Sequence, residues 1–230
     1  MSAAPSAPVR LIIFDVDGTL VDSQGDIVAS MHHAFAEIGA PAPERAAIIG
    51  IIGLSLDVAM TRLAPDLDTA AHVALVEEYK RSYMGRRVVA GAAESSPLFP
   101  GTRQMLETLS TRADLLLGIA TGKSRRGLDK LLEGHDLTNL FVNTQVADHH
   151  PSKPHPAMLL AALAETVTSA TDAVMIGDTT YDMDMARAAG IATIGVEWGY
   201  HPTADLNPDH MLADWSGLRA CLDAIWRAPA

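Results

Sequence analysis

The chain has 230 residues, enough to bury a substantial core in one large domain or in one domain carrying a sizeable insertion. Its 17 Lys plus Arg against 28 Asp plus Glu leave a formal charge of -11, which repels nucleic acid and anionic membrane. With 48% hydrophobic and 20% charged residues the chain is globular rather than disordered, and no apolar run approaches the ~20 residues of a membrane span.

The lead from Met1 to Pro8 has neither a positive segment nor a long apolar one, so it is expected to be a short disordered stretch rather than a signal. The single Cys221 excludes an intramolecular disulfide and fits a reducing compartment, with cytoplasm as the default. An apolar run from Val9 to Phe14 then predicts a first buried strand. It ends in Asp15-Val16-Asp17-Gly18-Thr19-Leu20.

Residues 22–90 change character. Ile27, Met31, Phe35 and Ile38 follow helical spacing, and Gly39 sits where a C-cap glycine belongs. Residues 44–64 read as shorter helical pieces broken at Gly50 and Gly53, and Val73 to Tyr83 as a longer helix. The segment is expected to be a helical insertion of four helices, with the joint from Gly50 to Leu54 too apolar for an ordinary exposed loop. Ala90 to Pro100, rich in Ala, Ser and Pro, reads as a return linker.

From Pro100 the pattern alternates helix and strand, which marks βαβ units around a parallel sheet. Helices are expected at Gly101–Thr111, Ser124–Glu133, Pro154–Glu165, Tyr181–Ala189 and Gly217–Trp226. Strands are expected at Leu115–Ala120, Leu140–Val142, Ala173–Gly177 and Ala192–Val196. The fold class is therefore α/β, a Rossmann-like parallel sheet flanked by helices. Residues 1–21 and 91–230 would form its core, and residues 22–90 an inserted α-helical unit.

Polar residues collect where the buried strands end: Asp15 after the first, Thr121 after the second, Asp178 after the fourth. In open parallel sheets ligands sit outside the carboxyl ends of the strands, so residues far apart in sequence meet there. Asp15 and Asp17, two positions apart on a chain leaving a strand, can converge on one small volume. Their repulsion calls for a proton or a cation, and Mg2+ accepts carboxylate and carbonyl oxygens while drawing in a phosphate. An acid ending Leu-Ile-Ile-Phe opposite an acid ending Val-Met-Ile-Gly calls for a shared metal.

Thr121-Gly122-Lys123-Ser124 combines a hydroxyl, backbone N–H groups and a helix N-terminus, which suit a phosphate. A nucleotide P-loop needs a glycine five residues before Gly122, where Leu117 stands, so that reading is excluded. Lys153 lies just before a helix, where a cation opposes the helix dipole and can instead neutralise a bound phosphate. Asp178 and Asp182 place two more carboxylates four residues apart, at a strand end and in the first helical turn.

These motifs, Asp15-Val16-Asp17-Gly18-Thr19, Thr121, Lys153 and Gly177-Asp178 with Asp182, resemble in order the four motifs of the haloacid dehalogenase superfamily of phosphatases. The resemblance covers nearly the whole chain, with the helical insertion in place of that family's cap domain. Within the family, Gly50 to Leu54 and Gly195-Val196-Glu197-Trp198-Gly199-Tyr200 resemble the phosphoglycolate phosphatase group. The resemblance implies that Asp15 attacks phosphorus to form an aspartyl phosphate. It implies that Asp17 protonates the leaving alcohol and then deprotonates the hydrolytic water. Mg2+ would be held by the Asp15 side chain, the Asp17 backbone carbonyl and Asp178, while Thr121, Gly122 and Lys153 hold the phosphoryl group and Asp182 orients Lys153 or a metal-bound water. The family's dehalogenases lack an acid at the place of Asp17, so its presence implies phosphate esters. A small phosphorylated metabolite, such as 2-phosphoglycolate, is the expected substrate. A sugar-phosphate mutase and a non-catalytic phosphate-binding protein are the alternatives, and oligomeric state is left open.

Other residues carry plainer expectations. His149 and His150 have no third ligand spaced to join them and are expected to be structural or solvated. The ten Met residues read as core filler, and Cys221 as packing. Lys80, Arg81, Arg86 and Arg87 could steer an anionic substrate, but a solvated helix face is the expectation; Arg45 and Arg62 receive no role.

Overall fold

The computed structural model describes residues 8–227, so all of the N-terminal lead but Pro8 lies outside the described residues. Among them, β1 (Arg10–Phe14), β2 (Leu115–Thr121), β3 (Asn143–Val146), β4 (Ala173–Gly177), β5 (Ala192–Val196) and β6 (His210–Leu212) form one sheet in the order β3-β2-β1-β4-β5-β6. Every pairing is parallel. β1 lies between β2 and β4, with Phe14 opposite Ile119 on one side and Ile176 on the other, so three strand ends open at one place.

The unbroken apolar runs of β1, β2 and β4 arise because both faces of the sheet are covered. Alternate residues go to opposite sides. Ile12, Phe14, Leu117, Ile119, Val174 and Ile176 pack on one face with α6 (Thr102–Ser110), α7 (Arg125–Gly134) and α11 (Leu218–Arg227). Leu11, Ile13, Ala120 and Met175 pack on the other with α8 (Ala157–Thr166) and α9 (Thr180–Ala189). Met158, Met175, Met183 and Met185 are fully buried, as core filler would be.

Residues 22–90 contribute α1 (Gln24–Glu37), α2 (Arg45–Ile49), α3 (Leu56–Leu63) and α4 (Thr69–Ala90). Ile27, Met31 and Phe35 of α1 pack with Ile48, Ile52, Met60 and Leu75 in a third apolar cluster separate from the two sheet faces. α1 stops where Gly39 enters the left-handed region (φ 69°), and the N–H of Ala40 bonds the carbonyl of Phe35 at 2.9 Å. The outgoing and returning chains cross side by side: the N–H of Asp22 donates to Pro97 O at 2.8 Å and that of Phe99 to Leu20 O at 3.0 Å.

Three expectations need correction. The third strand lies at Asn143–Val146, not Leu140–Val142. Its polar side chains are satisfied inside the protein, Asn143 by Glu165 and Gln145 by His150, so apolar pattern misplaces it. The return segment contains a short helix, α5 (Ala92–Ser95), and α8 begins at Ala157, with Pro156 as its N-cap, rather than at Pro154. The short edge strand β6 was not foreseen.

Candidate active site

Asp15 follows directly on β1, its N–H donating to Ile176 O of β4 at 2.9 Å. That bond extends the β1–β4 ladder by one residue and turns the carboxylate toward the end of β4. Lys153 Nζ donates to Asp15 Oδ1 at 2.7 Å and to Asp182 Oδ1 at 2.7 Å, with all three side chains excluded from solvent. Asp15 Oδ2 is buried and has no partner among the described residues. Asp182 is fixed twice over, since it also closes the capping box of α9, accepting from the N–H and hydroxyl of Thr179.

Asp178 follows β4 and is completely buried. Its Oδ1 accepts from Thr19 Oγ1 at 2.8 Å and its Oδ2 from the backbone N–H of Tyr200 at 2.9 Å. Two glycines close on it: a Cβ at Gly18 would stand 2.1 Å from its Oδ2, and one at Gly199 would stand 2.0 Å from its Cβ. Gly18 also carries φ 86°, so both the turn and the contact require glycine there. Trp198 Nε1 donates to Thr19 O at 3.1 Å and ties the loop after β5 to the loop after β1.

Ligand oxygens of Asp15, Asp178 and Asp182 all lie within 4.8 Å of one another. Three carboxylates facing one ammonium in a dry volume are mutually destabilising. Burial pushes Asp15 up to about 7, against the pull of Lys153, with Asp182 and Asp17 adding to the rise. Burial, then the charges of Asp15 and Asp182, drives Asp178 well above the usual carboxylate range. Burial disfavours the Lys153 ammonium, yet Asp15 and Asp182 hold its pKa above that of an ordinary lysine. A hard divalent cation would relieve this repulsion, and the unpartnered Asp15 Oδ2 is an oxygen able to ligate it, so the residues present fit Mg2+.

Asp17 is held apart from that cluster. Lys123 Nζ contacts its Oδ1 at 2.8 Å, and Ser23 Oγ donates to the same oxygen. Burial opposes the Lys123 charge, but Asp17 beside it keeps its pKa above the ordinary lysine value. Thr121 ends β2, buried, with its Oγ1 accepting from the N–H of Lys123 at 3.2 Å. A Cβ at Gly122 would meet Gly53 O at 2.5 Å and Leu54 O at 2.6 Å, so the apolar joint of the helical insertion lies directly on this turn. A cavity of about 1160 Å³ opens between the two parts of the chain, and Asp15, Asp17, Thr121, Gly122, Lys123 and Tyr83 reach its wall.

The structure thus brings together Asp15, Lys153, Asp178 and Asp182, with Asp17, Thr121 and Gly122 on the cavity beside them. Sequence reasoning missed Lys123, Ser23, Thr19 and Tyr200 as contributors. Lys123 and Thr19 stand inside the motifs, and Tyr200 ends the stretch from Gly195 that carries the phosphoglycolate phosphatase resemblance, which was the available signal; Ser23 carries none. His150 bonds Gln145 and lies outside the acidic cluster. Arg62 donates to the hydroxyl of Tyr181 at 3.0 Å, linking α3 to α9.

The family model for haloacid dehalogenase-like hydrolases matches residues 12–196. The chain belongs to that family. It is 38% identical over 199 residues to the probable phosphatase IndB of Dickeya dadantii, covering 85% of this chain and 84% of that one. It is 31% identical over 221 residues to the phosphoglycolate phosphatase of Pseudomonas syringae pv. syringae, covering 93% and 80%. The solved structure of a hydrolase from Pseudomonas syringae superposes with a TM-score of 0.82 at 25% identity, covering 94% of this chain and 99% of that one. The protein is accordingly a family phosphatase, a hydrolase of phosphoric monoesters similar to phosphoglycolate phosphatases. No helix among the described residues is long and apolar enough to cross a membrane.

Proposed function

We propose that the protein hydrolyses a small phosphorylated metabolite, with 2-phosphoglycolate-like esters favoured, in a Mg2+-dependent reaction through a phosphoenzyme on Asp15. The observation that carries this reading is the Asp15 carboxylate: one oxygen neutralised by Lys153, the other buried and unpartnered among the described residues, on the wall of a cavity shared with a second acid. An Asp15 oxygen attacks phosphorus as the bond to the leaving oxygen breaks, and Asp17 supplies the proton that oxygen needs. Water then attacks the aspartyl phosphate, Asp17 takes its proton, and inorganic phosphate leaves with the Asp15 carboxylate restored.

Thr121 Oγ1 and the N–H groups of the Gly122 turn at the start of α7 hold phosphoryl oxygens. Lys153 uses two of its three N–H donors on Asp15 and Asp182, which leaves the third for the same purpose. Asp15, Asp178 and the Asp17 backbone carbonyl would hold Mg2+, with Asp182 keeping Lys153 in place. When bound, the ion supplies charge neutralisation for the two anions that must meet. Residues 22–90 act as a cap that covers the Gly122 turn and keeps bulk water from the intermediate.

The test is inorganic phosphate release from a panel of small phosphate esters with Mg2+ and with chelator. Mg2+-dependent release with one strongly favoured ester is expected. No release from any ester by folded protein would overturn the reading and favour phosphoryl transfer back to substrate or binding alone.

A further inference from the structure

Arg87 departs from the solvated face expected of its helix. It stands in the last turn of α4, half-buried, and its Nη1 donates to Gly127 O of α7 at 3.1 Å. Its guanidinium lies over the Tyr83 ring, 5.7 Å from the centroid, and Lys123 Nζ lies over the same ring at 5.3 Å. Nε and Nη2 are buried and have no partner among the described residues. Those two N–H groups point the same way and form the edge of a guanidinium that grips two oxygens of a carboxylate or phosphate at once. A cation at a helix C-terminus answers the helix dipole, and the Gly127 bond docks the cap on the core. Neither contact uses the edge formed by Nε and Nη2.

Arg87 reaches the wall of the cavity that holds Asp15, Asp17 and Thr121. Lys80, Arg81 and Lys130 also reach that wall, but they are engaged by Glu77, Glu78 and Glu133, and Arg126 reaches it as an exposed, solvated side chain. Arg87 has no carboxylate partner among the described residues, and Lys123, which lies over the same Tyr83 ring, leans toward Asp17. Two half-buried cations at one aromatic ring repel each other, a cost that an anion bound beside them would offset.

Resting on the phosphatase reading of the Asp15 site, we propose that Arg87, seconded by Lys123, recognises a second anionic group on the alcohol portion of the substrate. The favoured substrates are then phosphomonoesters of short hydroxy acids or bisphosphates, and esters of uncharged alcohols are poor. Arg87 is a specificity residue and takes no part in the chemistry. Because Lys123 also holds Asp17, Arg87 is the position that isolates recognition.

The experiment measures kcat/KM for 2-phosphoglycolate, its uncharged amide and ethane-1,2-diol bisphosphate, with the wild type, Arg87→Met and Arg87→Lys. The wild type is expected to favour the anionic esters over the amide, and Arg87→Met to lower that ratio on the order of 10- to 100-fold, with Arg87→Lys in between. The anionic ester that loses most identifies the group as carboxylate or phosphate. An equal loss on all three esters, or no preference in the wild type, overturns the anion site and leaves the phosphatase reading standing. Calorimetric binding of the acid and the amide to Asp15→Asn, with and without Arg87→Met, separates the two readings. Arg87-dependent preference for the acid in binding, without turnover of any ester by the wild type, would retain the anion site and remove the phosphatase reading.

Discussion

The two walls of the cavity are built on opposite terms. On the sheet side Asp15 reaches the wall, and Asp178, Asp182 and Lys153 lie buried behind it, held by bonds of 2.7 to 2.9 Å, with glycines pressed against Asp178. On the cap side, the 22-residue helix α4 buries Leu75 alone, while Val88 and Val89 are 85% and 90% exposed. The rigid wall carries the groups whose positions must hold to within a fraction of an ångström for phosphoryl transfer. The more exposed wall carries Tyr83 and Arg87, which in the proposed reading would meet the variable part of a substrate. Repulsive charge is best tolerated where the backbone is over-determined, so in the proposed reading chemistry falls to the sheet side and recognition to the helical insertion.

Breaking the rigid wall should have the largest effects. Asp15→Asn should lower turnover on the order of 10⁴-fold or more, as loss of a nucleophile does, while its melting temperature holds or rises because one repelling charge is gone. Phosphate release and thermal melting on the same sample check both halves. Asp17→Asn should cost roughly 10²- to 10⁴-fold with an alkyl phosphate, but much less in the first step with p-nitrophenyl phosphate, whose leaving group needs no proton. An equal loss in the burst phase with both esters would count against the acid role.

Stability sharpens the contrast further. Gly199→Ala forces a Cβ to 2.0 Å from Asp178 and should destabilise by about 3 kcal/mol or more, read by denaturant unfolding. The buried carboxyls also set a pH dependence. Asp15, raised from 3.8 to about 7, binds a proton in the native state that the unfolded chain has already lost, and Asp178 is shifted in the same direction. In chelator, stability should therefore fall as pH rises from about 4 toward 7. Mg2+ should remove much of that fall by favouring the ionised carboxylates; a metal-free profile that rises across the window would refute the assignment. At the exposed end of α4, Val89→Ser should change stability by no more than about 0.5 kcal/mol, since its side chain already faces water.

Much of the fold was legible because both faces of the sheet are covered. Continuous apolar runs mark β1, β2, β4 and β5, and a polar residue ending such a run has only the ligand-facing rim to occupy. β3 was misplaced because its Asn143 and Gln145 are polar inside the protein, and β6 was missed because three edge residues carry almost no pattern. In the site, Asp15, Asp178 and Lys153 announced themselves by standing where an ordinary charge would be costly. Tyr200 acts on Asp178 through its backbone N–H, which leaves no signature in residue type.

By itself the sequence determined the alternation of buried strands and helices, the helical insertion, and the residues that stand at the strand ends, because periodicity and burial are local properties of the chain. Tertiary structure alone decided the pairings. Lys153 bridges Asp15 and Asp182, Lys123 takes Asp17, and Arg87 crosses from α4 to α7 with Nε and Nη2 buried and unpartnered among the described residues. Residues 138 positions apart in the chain, such as Asp15 and Lys153, meet only once the parallel crossovers have set their strands side by side. Their charges then become one another's solvent, and neither spacing nor residue type encodes that exchange.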